Sequence, residues 1–312
     1  MQFSYHIIQK SVNQTLRTRL LQHLYFGTII AYLPVFSPVL FGGRSSMEDE
    51  GQTIKDFGKQ WLHYRDINGF FGSLELFSDM IYPFLKPDDI KDCNVAEIGS
   101  GSGRIVNMLL RAGARHVIAV DPSEAFEVLR RNIDQPEKVT CLKVTGDQLP
   151  AYGNLDFVFS IGVLHHIPDP KPVVEAAFRA LRPGGHFLVW VYGKEGNGFY
   201  LTLINPLRVF TKRMPHFMLV ILAEMIYWPT AVYTKLCHRF PLPLRGYFVS
   251  VFGKMAPSKQ RLIIYDQLSP FYAKYYTRSE AEKLLLDGKF EKVRIHHRHG
   301  YSWTLIGTKP QI

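Results

Sequence analysis

Between about Asn94 and Tyr192, short β-branched runs alternate with stretches of helical periodicity, which predicts βαβ units around a parallel sheet covered on both faces. Asn94–Ile98 (NVAEI) reads as the first strand. The turn Gly99 to Gly103 follows, then a helix through Leu109 and Leu110 that Gly113 can end. His116–Val120 is the second strand, and Ser123 caps a helix running to about Asn132. Val139–Val144 and Leu155–Ser160 read as the third and fourth strands. Lys171–Leu181 forms a helix stopped by Arg182-Pro-Gly-Gly185, and His186–Tyr192 is the fifth strand.

After Gly196-Asn-Gly198 the alternation stops. The next stretch carries Pro206, Pro215, Pro229, Pro241, Pro243, Pro257 and Pro270, and reads as a largely helical insertion. A helix Ser279–Leu286 and two strands, Phe290–His297 and Ser302–Thr308, then predict a terminal antiparallel hairpin. The expected division is 1–46 as an N-terminal apolar and basic extension, 47–195 as a cofactor-binding core, 196–269 as the insert and 270–312 as the return of the core.

Glu97-Ile-Gly99-Ser100-Gly101-Ser-Gly103-Arg104 sits after a strand and opens a helix, a context in which glycines let backbone N–H groups approach a ligand. The spacing is GxGxG, with Arg104 where a dinucleotide fingerprint wants its third glycine, which argues against hydride transfer. Asp121 ends the second strand, where an acid accepts hydrogen bonds from ribose hydroxyls. Gly146-Asp147 ends the third.

With LDFVFSIGVLHHIPDP at 155–170 and LRPGGHFLVWVYG at 181–193, this constellation resembles the class I S-adenosylmethionine-dependent methyltransferases, and within them the group similar to the ubiquinone/menaquinone biosynthesis enzymes. The resemblance implies a Rossmann-like α/β fold with seven strands in order 3-2-1-4-5-7-6, strand 7 antiparallel. It implies S-adenosylmethionine as cofactor, held by Glu97, Gly99, Ser100, Gly101, Gly103, Asp121, Pro122, Asp147, Gln148, Ser160 and Gly162. GDQLP at 146–150 is shorter than the family's usual segment, which weakens the adenine contact at Asp147.

Methyl transfer from a sulfonium needs alignment more than a nucleophilic side chain. If a base is used, His165 and His166 after the fourth strand are the candidates, against a structural role in the loop. Trp61 and Tyr64, ahead of the first strand, are candidates for a segment closing over the pocket, against ordinary packing. The fourth strand is followed by Ser160-Ile-Gly-Val163 rather than [ND]PP[YF], and no cysteine lies nearby, so methylation of exocyclic base amines or pyrimidine C5 is not expected. His296-His297-Arg-His299 lacks the acids of a magnesium site, and no metal is expected.

Charge sharpens the picture. The net +10 is concentrated: residues 1–47 hold four Lys/Arg and no acid, and 199–265 hold nine against Glu224 alone. The rest of the chain then has 24 basic and 26 acidic side chains (37 less 13, 27 less 1), nearly neutral. Both basic regions are apolar and aromatic, the pattern of interfacial helices. Peripheral membrane contact through 199–265 and 20–43 is therefore an expected partner mode, beside a helical cap reading. Glu224 and Pro229 disfavour a true span over Met214–Thr234. Residues 20–43, broken by Pro34 and Pro38, read equally as an anchor or as part of a targeting segment. Cys93, Cys141 and Cys237 lie far apart without CxxC spacing, so a reducing compartment such as the cytoplasm is expected.

Together these features predict transfer of a methyl group to oxygen or carbon of an apolar or membrane-associated small molecule, such as a lipid, quinone or lipid-linked glycan intermediate, with nucleic acid an unlikely partner. Two alternatives stand beside it: a non-catalytic cofactor-binding protein that docks to a membrane or partner, and an RNA-directed methyltransferase using the basic patch. Oligomeric state is not legible.

Overall fold

A computed structural model describes residues 46–311. The apolar stretch 20–43 lies outside them. Seven strands form one sheet: β1 (Asn94–Ile98), β2 (His116–Val120), β3 (Val139–Leu142), β4 (Leu155–Ile161), β5 (Leu181–Tyr192), β6 (Glu291–Arg298) and β7 (Ser302–Thr308). Their order is β3-β2-β1-β4-β5-β7-β6. All neighbours are parallel except β7, which runs antiparallel to both β5 and β6. The expected sheet is the observed one.

The helices are α1 (Ser46–His63), α2 (Leu74–Ile81), α3 (Arg104–Arg111), α4 (Phe126–Asn132), α5 (Lys171–Ala180), α6 (Gly198–Thr211), α7 (His216–Arg239), α8 (Arg245–Ser250), α9 (Pro257–Leu268) and α10 (Arg278–Asp287). Because β1, β2 and β4 are buried on both faces, successive side chains feed two cores. On one face Val95, Val117 and Phe159 pack with Phe77 of α2 and Leu109 of α3. On the other, Ala96, Val158 and Phe187 pack with Val174 of α5 and Leu285 of α10. Thr277 fixes the start of α10 through a capping box: its Oγ1 accepts from the Glu280 N–H at 3.3 Å, and Glu280 Oε2 accepts from the Thr277 N–H at 2.8 Å.

Between β5 and α10 the chain builds a third cluster around Ile204, Leu219, Tyr227, Phe252 and Tyr265. Here the structure departs from the proline pattern, since α6 continues through Pro206 and α7 through Pro229. Glu224 is not a stray charge in α7. Arg261 of α9 clamps it, donating from Nη2 at 2.9 Å while its guanidinium lies 3.8 Å from the Tyr227 ring centroid. By length and composition α7 could cross a membrane, with mean hydropathy 1.4. Its inner stripe of Leu219, Ala223, Tyr227 and Thr234 is buried, while Phe217, Ile221, Met225, Trp228, Val232 and Leu236 form an exposed outer stripe.

The carboxyl ends of β1, β2, β4 and β5 open toward α1 and α9. In open α/β sheets ligands bind at that edge, where strand order reverses. Here the reversal lies between β1 and β4.

Candidate active site

The turn after β1 folds as the glycines require. Gly99 has φ +81° and Gly101 φ +52°, the left-handed region that side chains resist. A Cβ on Gly99 would lie 2.3 Å from Val163 Cγ2, and one on Gly101 would lie 2.9 Å from the Trp61 indole nitrogen. Asp121, at the end of β2, organises this turn from the side. Its Oδ2 accepts from the Gly101 N–H at 2.7 Å, while Oδ1 accepts from the Ser123 N–H at 2.9 Å and the Ser123 hydroxyl at 2.5 Å.

Two charged residues flank the turn. Glu97 is 1% exposed, and its Oε2 has no hydrogen-bond partner. Burial pushes its carboxyl up to about 8, with the Arg104 guanidinium acting in the opposite direction. Arg104 opens α3, held down to about 10 by burial. It donates to the Phe71 carbonyl at 3.5 Å, a marginal contact, and lies 4.3 Å from the Phe71 ring centroid. Its half-buried surface faces the cavity that it lines. Neither residue is fully satisfied by protein, which is expected where a ligand completes the set.

One cavity, of about 340 Å³, runs from the glycine turn to the insert. Of the residues singled out in the sequence, Glu97, Gly99, Ser100, Gly101, Asp121, Pro122, Gly162, His166 and Trp61 line it. Gly103, Asp147, Gln148, Ser160, His165 and Tyr64 do not. Gly103 instead caps α3 with φ +88°. Asp147 and Gln148 are exposed on a short turn, and Thr145 and Gly146 face the cavity in their place. The Ser160 hydroxyl is buried without a partner, and Tyr64 packs against Tyr265 with ring centroids 5.7 Å apart.

The histidine pair divides. His165 is fully buried with its ring 3.9 Å from that of Tyr192, and neither ring nitrogen has a partner. Burial holds it well below the ordinary imidazole range. His166 faces the cavity with Nδ1 2.9 Å from the Tyr272 carbonyl. A carbonyl only accepts, so Nδ1 carries the proton. Burial lowers His166 to about 4, leaving a neutral ring.

The part of the cavity beyond β4 and β5 was not legible in advance. Tyr192, Tyr200, Tyr247, Phe248 and Tyr301 line it, with Asp266 and Gln267 of α9 as polar groups. Gln267 is used within the protein: its Oε1 accepts from the Tyr200 hydroxyl at 2.7 Å and the Tyr275 hydroxyl at 3.1 Å, and its Nε2 donates to the Tyr192 hydroxyl at 2.7 Å. Asp266 accepts from Gln60 of α1 at 2.9 Å and from the Tyr192 hydroxyl at 3.2 Å. Elsewhere, the His296–His299 run is not a solvated edge: Arg298 is buried, lines the cavity and donates to Asp79 at 3.1 Å, His297 stacks on Trp303, and His299 meets Asp79 at 2.9 Å.

These features fit S-adenosylmethionine. The glycine cradle leaves room that a Cβ would fill, Asp121 stands beside it at the end of β2, and the buried Glu97 Oε2 is an acceptor that a cationic ligand could satisfy. Residues 96–189 match the family model described as a methyltransferase domain. The chain is 31% identical over 140 residues to a tRNA U34 carboxymethyltransferase of Idiomarina loihiensis, covering 42% of this chain and 43% of that protein. It is 28% identical over 197 residues to the protein of that name in Shewanella loihica, covering 55% and 60%. The chain thus spans about half the length of the curated relatives it matches. Among solved structures, the 1,6-didemethyltoxoflavin-N1-methyltransferase of Burkholderia thailandensis is similar at TM-score 0.49 and 16% identity, over 89% of this chain and 98% of that one.

The curated relatives overturn two expectations, an apolar small-molecule acceptor and nucleic acid as an unlikely partner, because their names specify tRNA. The physical reason is narrow. The missing [ND]PP[YF] motif and cysteine exclude two mechanisms of base methylation, and neither is needed when a nucleoside hydroxyl accepts the group. The match does not single out the ubiquinone/menaquinone group. Sheet order, glycine turn and family match agree at the level above it: the domain built on residues 96–189 belongs to the class I S-adenosylmethionine-dependent methyltransferases.

Proposed function

We propose that this protein transfers a one-carbon group from S-adenosylmethionine, or a derivative of it, to a nucleoside of tRNA. The observation that carries the reading is the single cavity that joins the glycine turn to an aromatic chamber beneath a basic insert. The cofactor supplies a carbon already activated by its sulfonium. The chain supplies alignment: the turn and Asp121 hold one end, and the chamber receives the acceptor. A flipped base is held by aromatic faces and a few hydrogen-bonding groups, which Tyr200, Tyr247, Phe248 and Asp266 offer. Lys235, Arg239 and Arg245 are exposed on the insert, where cations meet phosphates. The relatives' names supply the acceptor class and a carboxymethyl group as the alternative to methyl.

The test is nucleoside mass spectrometry of tRNA incubated with the protein and either donor. A modified nucleoside that appears with wild type and not with Asp121→Ala supports the reading, and its mass gain separates methyl from carboxymethyl. Unmodified tRNA with both donors overturns it.

A second reading concerns location, and the exposed apolar stripe of α7 favours it. On this reading the protein is cytoplasmic and rests against anionic membranes through that stripe, with Lys235 and Arg239 toward the headgroups. Flotation with anionic vesicles, lost on Trp228→Glu, supports it. Recovery of wild type wholly in the pellet overturns it.

A further inference from the structure

Asp266 stands beside Gln267 at the end of the hydrogen-bond network of the acceptor chamber. The Gln267 amide donates to the Tyr192 oxygen, so Tyr192 turns its own proton to Asp266 Oδ2, and the Gln60 amide donates to Asp266 Oδ1. A carboxylate has about four acceptor positions. Two are filled, both by neutral donors. No Lys, Arg or His nitrogen among the described residues lies within ion-pairing distance of this carboxylate, although Arg104 and His166 both feel its charge. It is a half-buried carboxyl group on a cavity wall with spare acceptor capacity, flanked by aromatic rings.

Its location fits a role in the reaction. Tyr192 ends β5, and His166 follows β4, the strands that carry the chamber on the far side from Asp121. The two donors come from α1, whose Trp61 lies against the glycine turn, and from β5, 206 and 74 residues away in sequence.

We propose that Asp266 is the catalytic base that takes the proton of the acceptor's O–H or N–H. The acceptor's lone pair forms the new bond to the activated carbon as the carbon–sulfur bond breaks. The electron pair of that bond stays on sulfur, giving the neutral thioether. The acceptor proton passes to the Asp266 carboxylate and leaves to water after product release. His166 is the alternative base, since the Tyr272 carbonyl holds its Nδ1–H and leaves Nε2 as an acceptor; turnover retained in Asp266→Asn assigns the step to it. The proposal rests on the chain being a transferase, and on no particular acceptor.

The test compares wild type with Asp266→Asn and Asp266→Glu. Formation of S-adenosylhomocysteine is followed with tRNA and, in parallel, with an RNA-free cell extract. Calorimetric affinity for S-adenosylmethionine and the thermal midpoint are measured on the same samples. Asp266→Asn is expected to lower kcat by about 10²- to 10⁴-fold with cofactor affinity unchanged, a midpoint lowered by no more than the loss of one hydrogen bond, and partial recovery of kcat in Asp266→Glu. A rate close to wild type, no recovery of kcat in Asp266→Glu, or loss of cofactor affinity in step with the rate overturns the assignment. Turnover in the extract alone removes the RNA acceptor but still scores Asp266. Absence of wild-type turnover in both removes both.

Discussion

Glu97 offers a prediction that can be worked through to numbers. Its carboxyl ordinarily titrates at 4.5 and stands at about 8 in the folded protein, chiefly through burial. At about 1.36 kcal/mol per unit, that difference corresponds to roughly 5 kcal/mol between the two protonation states. The direction is the reverse of a salt-bridged acid. Below pH 4.5 the group is protonated in both folded and unfolded chains. Between there and about 8 the unfolded chain releases the proton that the folded chain retains, so stability falls by up to about 1.4 kcal/mol per pH unit. Above about 8 the penalty is complete. A bound cation relieves it, because a positive charge in the cavity favours the carboxylate. Binding of S-adenosylmethionine at pH 7 should therefore release close to one proton from Glu97, and at pH 9 Glu97 should contribute almost none beside the proton that the ligand's own amine takes up. Calorimetry at each pH in phosphate and in Tris reads this directly, since the apparent heat differs between buffers by the protons exchanged. Glu97→Gln should abolish the buffer dependence at pH 7, weaken binding and remove the Glu97 component of the decline in empty-protein stability from pH 5 to 8. Buffer-independent heats for wild type at pH 7, or equal proton release in the Gln variant, would refute the reasoning.

Three further outcomes follow from the geometry. Gly99→Ala combines a left-handed backbone with a Cβ 2.3 Å from Val163 Cγ2, so urea unfolding should show a loss of about 2 kcal/mol or more and cofactor binding should fall with it. Asp121→Asn leaves one acceptor oxygen where two now serve Gly101 and Ser123; thermal unfolding should register about 1–3 kcal/mol, and calorimetry at least about a tenfold weaker cofactor. Thr277→Ala removes the cap of α10, far from the cavity, and should cost about 1 kcal/mol in unfolding with unchanged cofactor affinity.

What the chain reveals in advance follows from the range of the interactions. The strands, the glycine turn and Asp121 are legible because each is local: a buried run, a turn that needs positive φ, an acid at a strand end. The adjacent histidines look equivalent in sequence, and only the short turn at Leu164–His166 sends one beneath Tyr192 and the other to the cavity. Asp147 was placed by motif position, yet its turn leaves it exposed while Gly146 faces inward. Asp266, Gln60 and Tyr192 meet across 206 and 74 residues, and α9 has no periodicity that marks Asp266 as a cavity residue. The prolines of the insert suggested breaks that α6 and α7 absorb. Absence of two base-methylation motifs excludes two mechanisms and carries no information on nucleic acid as a partner.

Transfer of labelled methyl from S-adenosylmethionine, with total tRNA as acceptor and with and without nuclease digestion before precipitation, bears most directly on this account. It predicts acid-precipitable label that nuclease releases and that Asp121→Ala fails to form; if methyl is poorly used, the same holds for label in the carboxylated donor's transferred carbon. Label that resists nuclease, or none above the Asp121→Ala background with either donor, would contradict it.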